Sequence, residues 1–289
     1  MIGFLPYVLL VMVPGIVLSL WAAYRVRSTY SKWSKVDSGI SMNAFDFARY
    51  LLNGQGLNEV KVEPTPGSLT DHYDPRTRTL RISTGVAQTA GAARQTFGPF
   101  GGGARGGRMT GSPLGGAPMG GSGMGGPAMG RGYAYGYTAT PGDAVPASGH
   151  LSVAQVAVIA HEVGHAQQHA QHDPLMAVRQ TIVPVAQIGS TLAPWLIIIG
   201  LLFLHSTTLA IIGLGLFAGA VLFTFVTLPV EIGASRRALE FVEPMGLTGE
   251  RGSGAKAVLS AAAWTYVAAA LTALLTFLYY LMLVSGSRR

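Results

Sequence analysis

The segment Leu151-Ser-Val-Ala-Gln-Val-Ala-Val-Ile-Ala-His-Glu-Val-Gly-His-Ala-Gln-Gln-His-Ala170 decides how the rest of the chain can fold. Ser152 and Gln155 have the spacing of a capping box at a helix start. Asp173-Pro174 follows the segment and ends the helical pattern after about five turns. The residues before the first histidine are small and apolar, as is typical of a helix that is buried on most sides.

Two histidines in this predicted helix, His161 and His165, are four residues apart. Residues at that spacing share a helix face, so both imidazoles can reach a single ion. Glu162 lies beside that face, where its carboxylate can reach a water on the ion but not the ion itself. Two nitrogen ligands, a base and an open position for water are what a zinc hydrolase needs. The alternative is a chance pattern on an exposed helix, which the low His and Glu content of the chain disfavours.

The composition indicates a membrane protein with a modest soluble part. Of 289 residues, 49% are hydrophobic and only 11% are charged, and the formal net charge is +7. The basic residues cluster beside apolar segments, which indicates membrane topology and a lipid bilayer as partner. Basic and aromatic residues are not interleaved in a stripe, so we expect no nucleic-acid partner. The chain has no cysteine, so any zinc must be held by histidine and carboxylate groups.

Apolar segments of membrane-spanning length stand at both ends of the chain and after the metal helix. Residues 1–24 carry no charge and are followed by basic residues, which predicts an uncleaved anchor with residue 25 onward in the cytoplasm. The charge-free stretch after Arg179 is too long for one crossing, so we predict two spans, 182–204 and 207–229. A last apolar run, 257–284, predicts a fourth span.

Between the anchor and the metal helix, the pattern predicts a small α+β part. Residues 41–52 have the spacing of an amphipathic helix, and residues 59–63 alternate as a short strand. Residues 67–83 are typical of a hairpin that turns at Asp74-Pro75-Arg76. Residues 98–140 are rich in glycine without any period, and such a composition cannot bury enough apolar surface to fold. We therefore predict a disordered insertion there.

These features divide the chain into seven predicted segments. They are the N-terminal transmembrane anchor (1–24), the α+β part of the catalytic domain (25–97), the Gly-rich insertion (98–140), the metal helix (141–181), the transmembrane hairpin (182–229), the third-ligand helix (230–256) and the C-terminal transmembrane helix (257–289).

A third ligand must complete the metal site, because two histidines hold zinc weakly. Glu231 is the first charged residue after the pair of spans, which return it to the side of the histidine pair. Pro229 suits the first turn of a new helix, where an ordinary glutamate is also favoured by the helix dipole. His169 lies about 12 Å along the helix from the first histidine, too far to share an ion. His172, just beyond the helix, stays an alternative ligand.

Four motifs taken together resemble a known family. They are His161-Glu-Val-Gly-His-Ala-Gln-Gln-His169, Leu69-Thr-Asp-His-Tyr-Asp-Pro75, Thr227-Leu-Pro-Val-Glu231 and Ala261-Ala-Ala-Trp-Thr-Tyr-Val-Ala-Ala-Ala270. They resemble the YugP-type membrane zinc metallopeptidases, and their arrangement is similar to that of the HtpX-type proteases. The resemblance implies that His161, His165 and Glu231 hold one zinc ion per chain and that Glu162 is the base. After the glutamate, the family usually has Phe-Asp-Ala-Ser, where this chain has Ile232-Gly-Ala-Ser235.

By analogy with zinc proteases, the 67–83 hairpin gains a role in binding substrate as an added strand at a sheet edge. His72 and Tyr73 are then candidate hydrogen-bond donors to the oxyanion that forms during hydrolysis. Alternatively, the neighbouring residues Asp71 and Asp74 serve only to shape the turn.

The sequence thus predicts a mainly α membrane protein with about four transmembrane helices and a small α+β, zincin-like catalytic part that faces the cytoplasm. Its predicted function is that of a zinc-dependent metalloendopeptidase acting on polypeptides in or near the membrane. The alternative is a catalytically inactive zinc-binding membrane scaffold, although a purely structural metal site would not need Glu162. A transporter would carry ionisable residues within its spans, and the predicted spans have none.

Overall fold

The computed structural model describes residues 4–87 and 149–286. The predicted Gly-rich insertion (98–140) and the last two arginines, Arg288 and Arg289, lie outside the described residues. In chain order the main elements are α1 (Val13–Trp33), α2 (Ala44–Gly54), β1 (Lys61–Thr65), β2 (His72–Asp74), β3 (Thr79–Ser83), α3 (Val153–Ala170), α4 (Pro174–Ile198), α5 (Thr207–Val242) and α6 (Gly249–Gly286). Short helical segments at Phe4–Tyr7, Val8–Met12, Thr84–Ala87, Ile199–Phe203 and Glu243–Met245 extend or join them.

Four helical segments are long and apolar enough to cross a membrane. They are Leu5–Trp33, Pro174–Phe203, Thr207–Met245 and Gly249–Gly286. Together with a three-stranded sheet, they confirm the prediction of a mainly α membrane protein with about four spans and a small α+β part. Large apolar side chains such as Leu20 and Phe203 are exposed along these helices, as expected where lipid is the surrounding solvent.

The structure corrects several predicted helix boundaries. The transmembrane anchor predicted over residues 1–24 stays a prediction, and the helix that contains it runs on to Trp33. Pro229 was expected to open a separate third-ligand helix (230–256), but it lies inside α5, which continues to Val242. The remainder of that predicted segment belongs largely to α6, which starts at Gly249 and is continuous with the fourth span.

The physical reason is that a helix does not have to end where the hydrocarbon core ends. Charged residues mark the point at which a chain meets water, but they are good helix formers and let the helix continue beyond it. A proline is also tolerated inside a membrane helix when neighbouring groups satisfy the freed backbone carbonyl.

The membrane helices pack in the order α1, α6, α5 and α4, so that α5 and α6 are the inner pair. Small residues allow close approach between α4 and α5. A Cβ atom on Gly213 would lie 3.0 Å from the backbone oxygen of Ala193, so a larger residue would separate the two helices.

The sheet has the strand order β1-β3-β2. β1 pairs with β3 in parallel, whereas β2 pairs with β3 in antiparallel register, with His72 opposite Arg81. The antiparallel pair confirms the predicted hairpin. At the end of the hairpin opposite the turn, Asp71 links the two strands. The Asp71 carboxylate accepts hydrogen bonds of 2.8 Å from both the backbone nitrogen and the hydroxyl of Ser83. β2 is thereby held as an edge strand.

One apolar core joins the sheet to the ends of the membrane helices. Leu80 and Ile82 of β3 are buried in it beside Val163 of α3. Trp33 of α1 and Val242 of α5 belong to the same core. The metal helix is therefore packed directly against the segments where the membrane helices emerge.

Candidate metal centre

Helix α3 forms as its sequence predicts. The Ser152 hydroxyl accepts a hydrogen bond from the Gln155 backbone nitrogen (3.3 Å), and the Gln155 side chain accepts one from the Ser152 backbone nitrogen (2.8 Å). This reciprocal pair is the capping box. The helix ends at Ala170, and Asp173 then caps the start of α4.

The structure brings His161, His165 and Glu231 together. Oε2 of Glu231 lies 3.1 Å from Nε2 of His161 and 3.3 Å from Nε2 of His165. One ligand atom from each of the three residues lies within 4.8 Å of the others. Glu231 is nearly inaccessible to solvent, with 2% of its surface exposed, so its charge requires partners.

Two polar side chains orient the histidines. The Gln168 side-chain oxygen lies 3.0 Å from Nδ1 of His165 and accepts its proton in the tautomer that leaves the Nε2 lone pair available to a metal ion. The Gln168 amide nitrogen donates to the backbone oxygen of Val230 (3.0 Å), one residue before Glu231. The Ser235 hydroxyl lies 3.2 Å from Nδ1 of His161.

This arrangement fits a zinc ion. Tetrahedral zinc with bonds of about 2.0–2.2 Å places neighbouring ligand atoms about 3.3–3.5 Å apart, close to the two distances to the Glu231 oxygen. Both imidazoles also have an outer partner on the opposite nitrogen, as metal-binding histidines usually do. Two nitrogens and one carboxylate oxygen with an open position are a ligand set that catalytic zinc sites use.

The other two histidines near the end of α3 do not join this group. Instead, Nδ1 of His169 lies 2.9 Å from the hydroxyl oxygen of Tyr73. His172 has a φ of 53° and lies in the turn between α3 and α4. Among residues 4–87 and 149–286, the His, Asp and Glu side chains that lie close enough together to hold a metal ion are those of His161, His165 and Glu231.

Glu162 lies beside the metal-binding group and is held by the sheet. The backbone nitrogen of Tyr73 in β2 donates a 2.9 Å hydrogen bond to Oε2 of Glu162. Burial raises the pKa of the Glu162 carboxyl to about 7, against the opposing effect of His161 and with a smaller contribution from the charge of Glu231. A carboxyl with a pKa near neutrality can both accept and return a proton at physiological pH.

His72 and Tyr73 lie at the same cavity, but their polar groups have other partners. The Tyr73 hydroxyl faces His169, and its backbone nitrogen is engaged by Glu162. His72 is exposed, with Nδ1 2.8 Å from the backbone oxygen of Thr70. The prediction that these two residues contact substrate stays a prediction.

The cavity, of about 330 Å³, also contains two residues that sequence reasoning missed. Arg179 of α4 has a guanidinium nitrogen 3.5 Å from Oε1 of Glu231. Tyr266 of α6 lines the cavity as well. Each of three membrane helices therefore contributes one member of this cluster. A weak signal for Arg179 was its position as the last charge before the span hairpin.

Comparison with known proteins agrees with this geometry. Residues 8–96 and 146–285 match a family described as "Putative neutral zinc metallopeptidase". The chain belongs to this family of zinc metallopeptidases. The resemblance stated from the motifs is therefore confirmed. The match leaves out residues 97–145, which include the predicted Gly-rich insertion.

A curated relative extends the likeness over almost the whole chain. The chain is 33% identical over 272 residues to the "Putative membrane protease YugP" of Bacillus subtilis (strain 168), covering 94% of this chain and 93% of that protein. No solved structure matches the chain. With its four apolar helices, the protein is a multi-pass membrane member of the metallopeptidase family.

Gly233 is the position at which the resemblance stated above implied Asp, and the Gln168 and Arg237 side chains border it. A Cβ atom at Gly233 would lie 2.9 Å from the Gln168 amide nitrogen and 3.4 Å from an Arg237 nitrogen. Arg237 pairs with Asp173 at 3.5 Å. The orientation of His165 is supplied by Gln168 without a carboxylate at position 233.

Close contact between α3 and α5 sets the position of Glu231. A Cβ atom on Gly164 would lie 2.6 Å from the backbone oxygen of Ala234, and a backbone atom cannot move without its helix. We therefore expect Gly164→Ala to push α5 away from α3 at a cost of about 1–3 kcal/mol and to lower zinc affinity. Zinc content and thermal unfolding of the purified variant measure both effects.

The matched control for this substitution is Gly215→Ala on α5. A Cβ atom there would meet no atom within 4 Å, so stability and zinc content should match wild type. Wild-type zinc affinity in Gly164→Ala would show that the ligand position does not depend on this contact.

Proposed function

We propose that this protein is a membrane-anchored, zinc-dependent metalloendopeptidase. The observation that carries the proposal is the convergence of His161, His165 and Glu231, with Glu162 beside them in one cavity. A metal site that served only to hold helices together would not need a buried carboxylate next to an accessible cavity. This favours catalysis over the alternative of a zinc-binding scaffold.

His161, His165 and Glu231 would hold the zinc ion. When bound, zinc supplies a water with a pKa lowered toward neutrality and polarises the carbonyl of the scissile peptide bond. Glu162 accepts the proton of the attacking water and then donates it to the leaving amine. The Tyr73 backbone nitrogen donates to Oε2 of Glu162, and the carboxylate accepts the proton through its other oxygen.

The position of the cavity supports substrates in or near the membrane. Its wall includes Val183 of α4, one helical turn beyond Arg179 and at the start of the apolar part of that helix. Polypeptide segments that leave the bilayer would therefore pass close to the metal-binding group. We propose such membrane or membrane-proximal polypeptides as substrates, and no nucleic acid.

The distribution of basic residues supports a site that faces the cytoplasm. Arg25, Arg27 and Lys35 follow the first span, and Arg236 and Arg237 follow the third. These positions lie on the side of the membrane helices that carries the sheet and α3. Cytoplasmic loops carry an excess of Lys and Arg, so this side should be the cytoplasmic one.

The enzymatic proposal is tested with purified protein in detergent. We expect about one zinc ion per chain, hydrolysis of an unfolded polypeptide, loss of hydrolysis after removal of zinc by a chelator, and recovery on addition of zinc. Bound zinc without hydrolysis of soluble or membrane-derived polypeptides would favour the inactive scaffold instead.

The side of the membrane on which the metal-binding group lies is tested with single introduced cysteines, since the natural chain has no cysteine. Lys35→Cys, on the exposed surface of the soluble part, should react with a membrane-impermeant maleimide only after cells are opened. Thr208→Cys, exposed in the first turn of α5 beside the loop between the second and third spans, should react in intact cells. The reverse labelling would place the site outside.

A further inference from the structure

Peptide hydrolysis at this site would gain from a hydrogen-bond donor to the scissile carbonyl, in addition to zinc, that the predicted residues do not provide. As water attacks the scissile bond, negative charge develops on the carbonyl oxygen, and a hydrogen-bond donor placed there stabilises the transition state. The Tyr73 backbone nitrogen is engaged by Glu162, and its hydroxyl by His169. His72 is exposed and held by the Thr70 carbonyl. The donor must be sought elsewhere in the cavity.

Tyr266 meets this need. Its ring comes from α6 and lines the cavity together with His161, Glu162 and His165. Glu231 lines the same cavity, so the Tyr266 side chain borders the space beside the metal-binding group.

We propose that Tyr266 is a catalytic residue whose hydroxyl donates a hydrogen bond to the carbonyl oxygen of the scissile bond as negative charge develops on it. This inference rests on the proposed metalloendopeptidase function. No proton leaves the Tyr266 hydroxyl in this step, because the proton that moves is the one that Glu162 transfers from water to the amine.

The partners of Glu231 do not include the Tyr266 hydroxyl alone. Arg179 approaches Oε1 of Glu231 at 3.5 Å, and the two histidines face Oε2. The carboxylate therefore keeps charged and polar partners when the Tyr266 hydroxyl turns toward substrate. A hydroxyl group rotates about a single bond, so its proton can turn toward substrate without movement of α6.

A merely structural role for Tyr266 makes a different prediction. If the hydroxyl served only to support Glu231 as a ligand, its removal would lower zinc affinity. If it donated only to bound substrate, its removal would raise KM and leave kcat unchanged. A donor that acts in the transition state affects kcat and the binding of transition-state mimics, and it affects neither zinc content nor KM.

The experiment compares wild type with Tyr266→Phe, which removes the hydroxyl and keeps the ring. We expect kcat to fall by about 10²–10³-fold with KM and zinc content unchanged. The affinity for a phosphinic peptide, which mimics the tetrahedral transition state, should fall by a comparable factor, as measured by calorimetry. Binding of the uncleaved substrate peptide, measured in a Glu162→Gln background, should not change.

Tyr280→Phe is the matched control on the same helix. Tyr280 packs against Tyr7 and Phe217, about 21 Å along α6 from Tyr266. Removal of the Tyr280 hydroxyl should leave kcat unchanged.

Three results would overturn the assignment while leaving the proposed function intact. They are wild-type kcat in Tyr266→Phe, loss of zinc in that variant, and an equal loss of kcat in Tyr280→Phe. Absence of hydrolysis by the wild-type protein would overturn the proposed function itself, and the two failures are therefore distinguishable.

Discussion

Glu162→Gln should keep its zinc and lose about 10²–10⁴-fold in kcat, the usual contribution of a general base. The amide has nearly the same shape as the carboxylate, and its oxygen can still accept the hydrogen bond from the Tyr73 backbone nitrogen. It cannot accept a proton from water. The two histidines and Glu231 are untouched, so metal binding should persist.

The measurement is kcat on one peptide substrate together with zinc content for each purified variant. Glu240→Gln is the matched control, because it removes a carboxylate from an exposed position on α5, where Glu240 pairs with Arg236. Turnover close to wild type in Glu162→Gln would mean that Glu162 is not the base and that the mechanism proposed above is wrong.

Glu231→Gln should lower zinc affinity strongly. The substitution replaces a charged ligand oxygen by a neutral amide oxygen, which is a weak ligand for zinc. It also leaves Arg179 without the carboxylate that it approaches at 3.5 Å. Since loss of an outer hydrogen-bond partner alone lowers metal affinity about 10–100-fold, we expect at least that decrease here.

Metal content after dialysis against a mild chelator provides the measurement. His169→Gln and His172→Gln are the controls, because both histidines lie near the end of α3 but outside the metal-binding group. Both should retain zinc. If Glu231→Gln held zinc like wild type while His172→Gln lost it, the third ligand would belong to the end of the metal helix.

Much of the fold could be predicted because the signals are local. Capping by Ser152 and Gln155, the turn at Asp74, and spans recognisable by their length and lack of charge depend on residues that are close in sequence. The histidine pair is likewise set by the geometry of one helix. These features, and the family, followed from the sequence alone.

The boundaries of the long helices could not be predicted in the same way. Composition marks where a helix leaves the hydrocarbon core, whereas packing decides where it ends. Pro229 was interpreted as a helix start, but α5 continues through it because Ala234, Ala238 and Val242 are buried against the soluble part. Tertiary contacts therefore outweighed a local signal.

The sequence by itself determined the metal helix, its two histidines and the adjacent Glu162, since one turn of helix fixes their spacing. Only the tertiary structure decided what surrounds them. Ser235, Arg179 and Tyr266 reach the site from three different membrane helices. The rotation and close approach of those helices depend on contacts such as that of Gly164 with α5, which join residues 70 positions apart in the chain. No local pattern encodes such a contact, because it arises only when separate helices pack together.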